Sequence, residues 1–206
     1  MIKPMNLFGE KPKYMLNYYH FTEDSPTKDD RLVKEDGSFH SLLHTDYWND
    51  FRDSKVCINL YTIGGIIVEE EFRGQGIGTS VLMGFINTHK NDLILGEVGI
   101  INEVYGDPHE LDDEIYYKII NSLSRYYFRL GFLSLQPFYR EEFYKPLVFP
   151  NKPGIEFYKY HMSKHNKFIS EFEERHGKSA ANSWMGGETE EIKWLKQENE
   201  KILNKL

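Results

Sequence analysis

The sequence predicts an α/β sandwich in which helices flank a mixed β-sheet, followed by a helical C-terminal extension. Three observations predict this fold class. Strand and helix patterns alternate between residues 14 and 164, a β-branched run enters a glycine-rich turn that opens a helix, and helical patterns occupy the C-terminal segment. We therefore expect an α/β domain over residues 1–164 and a helical extension over residues 165–206.

The composition is that of a small globular protein. The chain has 206 residues, of which 40% are hydrophobic and 15% aromatic, enough for one core plus an extension. It contains no run of about 18 apolar residues, so we expect no membrane span. The segment from Met1 to Pro4 lacks the apolar core of a signal peptide. The predicted location is the cytoplasm.

Charge and cysteine content argue against several other classes. The formal net charge of −7 argues against general nucleic-acid binding, which needs a basic surface, and is compatible with a cationic acceptor such as an amine. The one cysteine, Cys57, excludes an internal disulfide and is expected to be a buried, inert thiol. His161 and His165 are four residues apart but have no third ligand, and the acidic segment 107–113 lacks EF-hand spacing, so we predict no metal site.

Three elements are predicted before the centre of the chain. The aromatic and apolar run Tyr14–Phe21 predicts the first strand. Residues 22–38 are polar and charged and are predicted to form a loop. The segment Ser41–Asp53 carries apolar residues at helical spacing and predicts a helix.

The next segment, residues 56–68, predicts either two short strands or one strand interrupted at Gly64 and Gly65. We favour one long, bent strand pair. The two glycines are compatible with a β-bulge that turns an amide outward, or with a plain hairpin turn. Both alternatives stay open at the level of the sequence.

A strand, a glycine turn and a helix start follow one another from residue 63 onwards. After the turn, apolar and aromatic residues recur at helical spacing: Val81, Leu82, Phe85, Ile86 and His89. The glycines therefore lie at a helix N-terminus, where unpaired N–H groups and the macrodipole favour an anion. Because Gly74, Gly76 and Gly78 lack a Cβ, the backbone can approach phosphate oxygens closely and adopt positive φ. This unit is predicted to hold a pyrophosphate.

The spacing of the glycines excludes two common nucleotide-binding motifs. A P-loop requires a lysine before Thr79, and that position is occupied by Gly78. The dinucleotide fingerprint requires Gly-x-Gly-x-x-Gly, whereas the glycines here follow one another in steps of two.

A second block is the amphipathic helix predicted over Asp112–Leu130. Its apolar stripe consists of Ile115, Ile119, Leu123, Tyr127 and Leu130. Asp112 and Asp113 favour its N-terminal end, and Gly131 is typical of a helix stop. A strand is predicted before it, over Leu93–Val98.

Together the two blocks resemble the GNAT superfamily of acyl-CoA N-acyltransferases over residues 14–164. The turn matches the family pattern Arg/Gln-x-x-Gly-x-Gly/Ala at Arg73, Gly76 and Gly78. The family's lead-in Val-x-Pro-Glu-x-Arg is matched at Val68, Glu71 and Arg73, with Glu70 in place of the proline. The helix end resembles the family's Tyr-x-x-x-Gly-Phe element. The family often has an asparagine seven residues before that tyrosine, where this chain has Ile120, with Asn121 one residue later.

This resemblance implies a mostly antiparallel sheet and acetyl-CoA as cosubstrate. In the family, the pantetheine arm pairs like an added strand between two separated strands, and a backbone amide there faces the thioester oxygen. Carried over to this chain, the cosubstrate-binding residues are Ile66, Val68, Arg73, Gly74, Gln75, Gly76, Ile77, Gly78 and Thr79.

The resemblance also implies a general acid for the departing thiolate, and Tyr127 matches the family's tyrosine. Tyr126 is adjacent, and one of the two tyrosines is expected to be structural. Glu97, on the strand expected to flank the cosubstrate, is the candidate base that deprotonates the amine, directly or through a water. Acidic residues in the following loop either line the acceptor site or are solvated: Glu103, Asp107 and Glu110.

The remainder of the chain is predicted from local patterns. After a strand over Phe132–Leu135, residues 136–154 predict an irregular, proline-rich loop, and Ile155–Met162 a final strand. Two helices are predicted over Ser163–His176 and Glu188–Leu206. The last carries a stripe at alternating spacing of three and four: Ile192, Leu195, Asn199, Ile202 and Leu206. This stripe either pairs two subunits as a homodimer or packs against the same chain.

The function predicted from the sequence is direct transfer of an acetyl group from acetyl-CoA to a primary amine, of a small molecule or a protein, in a ternary complex. The alternative is a non-catalytic CoA-binding protein of the same fold that engages another macromolecule through its C-terminal helices.

Overall fold

The computed structural model describes residues 14–21, 59–99, 111–135, 144–179 and 190–206. The described strands are β1 Tyr14–Phe21, β2 Leu60–Val68, β3 Leu93–Gly99, β4 Leu133–Ser134 and β5 Tyr144–Val148. The described α-helices are α1 Ile77–Thr88, α2 Asp113–Arg129, α3 Lys152–His176 and α4 Glu190–Leu203. A short 3₁₀ helix, Glu70–Phe72, lies between β2 and α1.

The described strands form one mixed sheet in the order β1-β2-β3-β5-β4. The pair β2–β3 is parallel, and the other three neighbouring pairs are antiparallel. Helices flank this sheet, so the predicted α/β class with a mixed sheet is confirmed.

Strand β2 is a single strand that contains a β-bulge. Its register with β1 runs from Val68 opposite Tyr14 to Gly65 opposite Asn17, and resumes with Ile63 opposite Tyr18. Gly64 is therefore the extra residue, and it is exposed. Of the two alternatives at the paired glycines, the structure has the bulge and not the hairpin turn.

Strand alternation gives the sheet two buried faces. On the side of α3 and α4, the buried cluster consists of Leu60, Leu93, Leu95, Leu133, Leu135, Val148 and Phe157. On the side of α1 and α2, it consists of Tyr61, Ile63, Leu82, Phe85, Ile86, Ile94, Val98, Ile120, Tyr127, Phe132 and Leu147. Successive strand residues point to opposite faces, so neighbours such as Ile94 and Leu95 serve different clusters.

The predicted strand Ile155–Met162 is wrong, because these residues belong to α3, which runs unbroken from Lys152 to His176. Asn151 caps this helix, since its Oδ1 accepts a hydrogen bond from the Gly154 N–H at 2.9 Å. Pro153 lies in the first turn, where its missing N–H has no consequence. The predicted domain boundary at 164/165 falls within this helix.

The predicted irregular loop over residues 136–154 contains strand β5, which the sequence analysis missed. Pro146 argued against a strand in the sequence, because proline has no backbone N–H to donate to a neighbouring strand and is rare within strands. In the structure the Pro146 carbonyl accepts a hydrogen bond from the Leu135 N–H at 3.0 Å. Residues 136–143 of that loop lie outside the described residues.

Helix α4 packs against its own chain. Leu195 is buried with Phe128, and Ile202 contacts the cluster on the α3 side of the sheet. The buried Asn199 side chain binds the backbone of β4: its Oδ1 accepts from the Ser134 N–H at 2.8 Å, and its Nδ2 donates to the Ser134 carbonyl at 2.9 Å. These members of the stripe confirm packing against the same chain, whereas Leu206 is 67% exposed.

Several predictions fall on residues that the structure does not describe: the loop 22–38, the helix Ser41–Asp53, Cys57 and the acidic loop residues Glu103, Asp107 and Glu110. Within the described ranges, none of the helices has the length and apolar character needed to cross a membrane.

Candidate functional site: a glycine turn beside two separating strands

The glycine turn has the conformation that its sequence requires. Gly74 and Gly76 both have φ of 76°, a left-handed conformation that favours glycine. Gly76 is the N-cap of α1, which begins at Ile77, and none of the described side chains caps the helix. The predicted helix start at this turn is confirmed.

The first amides of α1 precede its first helical hydrogen bond. The Ser80 N–H donates to the Gly76 carbonyl at 2.9 Å, so the N–H groups of the three preceding residues have no partner within the helix. A Cβ added at Gly74 or at Gly76 would meet none of the described atoms within 4 Å. Such a turn can accept an anion, because these donors lie at the positive end of the helix dipole.

Two side chains of the turn donate hydrogen bonds to backbone carbonyls that precede it. The exposed Arg73 donates from Nε to the Val68 carbonyl at 3.0 Å. Gln75 donates from Nε2 to the Glu71 carbonyl at 3.2 Å. Both contacts tie the turn to the end of β2 and to the 3₁₀ helix.

Gly78 has a different role from the two glycines before it. A Cβ at this position would lie 3.5 Å from Val68 Cγ2, 3.7 Å from Ile66 Cγ2 and 3.7 Å from the Tyr126 hydroxyl. These are ordinary contact distances, so the first turn of α1 packs against both β2 and α2 at Gly78. The end of β2 therefore lies directly beside the helix N-terminus.

Strands β2 and β3 separate next to this turn. Their parallel pairing extends from Leu60 opposite Leu93 to Ile63 opposite Gly96. Beyond that pair, β2 continues to Val68 along β1, and β3 continues to Gly99 along β5. In the part of the chain that the structure describes, no strand pairs with β2 on its β3 side past Ile63. The last five residues of β2 thus offer backbone groups on that side to another extended molecule.

The bulge and the candidate base lie where the strands separate. Gly64 follows the last paired residue of β2, and Glu97 follows the last paired residue of β3. The backbone of Glu97 is held in register with Pro146 of β5. Both Gly64 and Glu97 therefore begin the stretch in which β2 and β3 are no longer paired.

Tyr127 lies in the core beneath the separating strands. It is 6% exposed and belongs to the same cluster as Ile63 and Val98. Its ring packs edge-on against Phe132, with centroids 5.3 Å apart. Burial, with a smaller contribution from Tyr126, raises the pKa of the Tyr127 hydroxyl to about 12. This phenol stays protonated throughout the neutral range, as a proton donor must.

Tyr126, in contrast, reaches the glycine turn. Its hydroxyl oxygen accepts a hydrogen bond from the Thr79 hydroxyl, with 3.5 Å between the oxygens. The sequence analysis named Tyr126 only as the neighbour of Tyr127. The sequence could have indicated this difference, because adjacent residues of a helix point about 100° apart, so Tyr126 and Tyr127 face different neighbours.

A second residue that the sequence analysis missed is Thr62, one residue before the last β2–β3 pair. It is 7% exposed, and its hydroxyl oxygen has no hydrogen-bond partner among the described residues. The described ranges also hold no group of three His, Cys, Asp or Glu side chains placed to bind a metal ion.

Comparison of the chain with protein-family models, with curated proteins and with solved structures gives no significant match. The functional interpretation therefore depends on the motifs of the sequence and on the geometry of the glycine turn and the separating strands.

Proposed function

We propose that this protein is a cytoplasmic N-acetyltransferase that transfers the acetyl group of acetyl-CoA directly to a primary amine in a ternary complex. The observation that carries the proposal is that the glycine turn follows β2, whose side towards β3 has no strand partner past Ile63 among the described residues. This combination supports a ligand with two parts. An anionic end would bind at the turn, and an extended arm that contains amides would pair with the strand.

The described residues fit the two parts of acetyl-CoA. The first-turn amides of α1, together with Gly74 and Gly76, offer donors to a diphosphate. The β2 segment that includes Ile66 and Val68 offers backbone hydrogen bonds to the pantetheine amides, in the manner of an added strand.

We assign one group of this chain to each chemical step. Glu97 takes a proton from the ammonium group of the acceptor, directly or through a water, so that the free amine can attack the thioester carbonyl. A backbone amide near the bulge at Gly64 stabilises the charge on the carbonyl oxygen. As the nitrogen–carbon bond forms and the carbon–sulfur bond breaks, Tyr127 donates its hydroxyl proton to the sulfur. The second proton that the nitrogen loses on becoming an amide passes through water to the Tyr127 phenolate and restores the phenol.

The proposal is tested first by calorimetry with acetyl-CoA. We expect the wild-type protein to bind one equivalent and the Gly76→Val variant to bind at least about tenfold more weakly. Valine at a φ of 76° is strained by about 1–2 kcal/mol, so the turn that presents the first-turn amides is expected to change its conformation.

Gly84→Ala is the control for this experiment, since Gly84 is an exposed residue of the same helix where a Cβ meets nothing within 4 Å. It should bind like the wild type. Absence of heat with the wild-type protein would contradict the proposal. If acetyl-CoA binds but no amine in a broad panel releases CoA, the protein is a CoA-binding module and not an acetyltransferase.

The acid role of Tyr127 gives a second prediction. In Tyr127→Phe we expect turnover at saturating acetyl-CoA to fall about tenfold while acetyl-CoA affinity is unchanged. The effect is moderate because a thiol has a pKa of about 8.5, so its thiolate leaves without complete protonation. Single-turnover kinetics measures the chemical step. Equal rates for wild type and variant would remove Tyr127 from the mechanism.

A further inference from the structure

The last turn of α2 carries two adjacent phenols with different surroundings. Tyr127 is enclosed in the core, with its ring against Phe132. Tyr126 is half-buried, and its hydroxyl lies against Gly78 and Thr79 in the first turn of α1. The two rings meet edge-on at 5.3 Å, so the position of one restrains the other.

The Tyr126 hydroxyl contacts the first turn of α1. The Cβ position of Gly78 lies 3.7 Å from this hydroxyl, and the Thr79 hydroxyl donates to it at 3.5 Å. The same Cβ position lies 3.5 Å and 3.7 Å from methyl groups of Val68 and Ile66, which belong to the part of β2 that β3 has left. Tyr126 therefore connects α2 to the helix start that the proposal assigns to the diphosphate, and this helix start lies against β2.

We propose that Tyr126 is a positioning residue for acetyl-CoA: its hydroxyl holds the side chain of Thr79, and thereby the first turn of α1, in the orientation that binds the diphosphate. This inference rests on the proposed function. It assigns to the tyrosine next to the predicted acid a role in affinity that is separate from the chemistry.

The length of the contact between the Thr79 and Tyr126 hydroxyls distinguishes a role in ligand binding from a role in folding. At 3.5 Å it is longer than the usual O–H···O distance of about 2.7–2.8 Å, so it adds little to the stability of the fold. The aromatic ring, which packs edge-on against Tyr127, is retained in phenylalanine. Loss of the hydroxyl alone should therefore alter binding and leave folding unchanged.

The test compares Tyr126→Phe with Tyr127→Phe in binding, kinetics and melting. We expect Tyr126→Phe to weaken acetyl-CoA binding about twofold to threefold, as suits a long hydroxyl contact, to raise KM by the same factor, and to leave kcat and the melting temperature unchanged. Tyr127→Phe should show the reverse pattern, with a lower kcat and an unchanged Kd.

Two further measurements locate the effect. Acetyl-pantetheine lacks the diphosphate, so wild type and Tyr126→Phe should bind it equally. Thr79→Val removes the hydroxyl that donates to Tyr126, so it should weaken acetyl-CoA binding like Tyr126→Phe, and the double variant should be no weaker than either single variant.

An unchanged Kd for acetyl-CoA in Tyr126→Phe would overturn the inference, as would an equal loss of affinity for acetyl-pantetheine or additive losses in the double variant. If the wild-type protein itself fails to bind acetyl-CoA, the proposed function falls, and this inference with it. Binding by wild type with no effect of Tyr126→Phe refutes the inference alone.

Discussion

Replacing Gly154 by alanine is expected to lower the free energy of unfolding by about 3 kcal/mol, near the upper end for overpacking. Gly154 lies in the first turn of α3, and a Cβ there would overlap the carbonyl oxygen of Phe149. The same Cβ would lie 2.9 Å from Asn151 Oδ1, which caps the helix. Neither the carbonyl nor the cap can move without disturbing the segment that leads from β5 into α3.

The cap is connected to the centre of the sheet, which is why the effect should be large. Asn151 Nδ2 donates to the carbonyls of Lys90 at 3.1 Å and Asp92 at 2.7 Å, just before β3 begins. The Phe149 N–H donates to the Ile94 carbonyl at 2.9 Å. A shift of this segment therefore weakens contacts of β3 as well as the start of α3.

Urea or thermal unfolding measures this effect, and Gly84→Ala provides the matched control. Gly84 is exposed within α1, so alanine there should raise stability by about 0.5–1 kcal/mol through helix propensity alone. For a chain of this size, a loss of about 3 kcal/mol corresponds to a fall in melting temperature of about 6–12 °C. A Gly154→Ala protein as stable as the wild type would show that Gly154 does not pack against the Phe149 carbonyl.

The second large effect is expected in Asn199→Leu, which should lose about 3 kcal/mol of stability. The leucine has a similar volume but removes both hydrogen bonds that Asn199 makes to the buried Ser134 backbone. Removing one partner of a buried hydrogen bond costs about 1–3 kcal/mol. The Tyr158 hydroxyl, 3.4 Å from Asn199 Nδ2, also loses a neighbour.

The control for this prediction is Asn204→Leu, which makes the same substitution at an exposed position just after α4. It should change stability by less than about 0.5 kcal/mol. Hydrogen exchange of the Ser134 amide gives a local measurement, because protection there should fall in Asn199→Leu and persist in Asn204→Leu. If both variants unfold alike, Asn199 does not bind the edge strand.

Local sequence signals predicted the elements whose ends are set by their own residues. Helix α2 begins where Asp112 accepts a hydrogen bond from the Glu114 N–H at 2.8 Å, and it ends before Gly131, whose φ is 91°. Strand β1 and the helix start at Gly76 were likewise predicted from short patterns. Caps and left-handed glycines act over a few residues, so a short stretch of sequence contains all the information needed.

The predictions failed where a local pattern was ambiguous. Ile155–Met162 is aromatic and apolar enough for a strand, but the cap at Asn151 and the proline after it favour a helix. In β5, Pro146 suggested a loop, although the strands on both sides accommodate it. In each case neighbouring segments decided between conformations that the residues alone permit.

By itself the sequence determined the glycine turn at a helix start, the amphipathic helix that follows, and the acetyltransferase hypothesis. Only the tertiary structure decided that β2 and β3 separate after Ile63, that Tyr126 and not Tyr127 reaches Thr79, and that Asn199 binds the edge of the sheet. The reason is distance along the chain. These contacts join residues 33 to 65 positions apart, and their geometry follows from how strands and helices pack together and not from the preferences of any one segment.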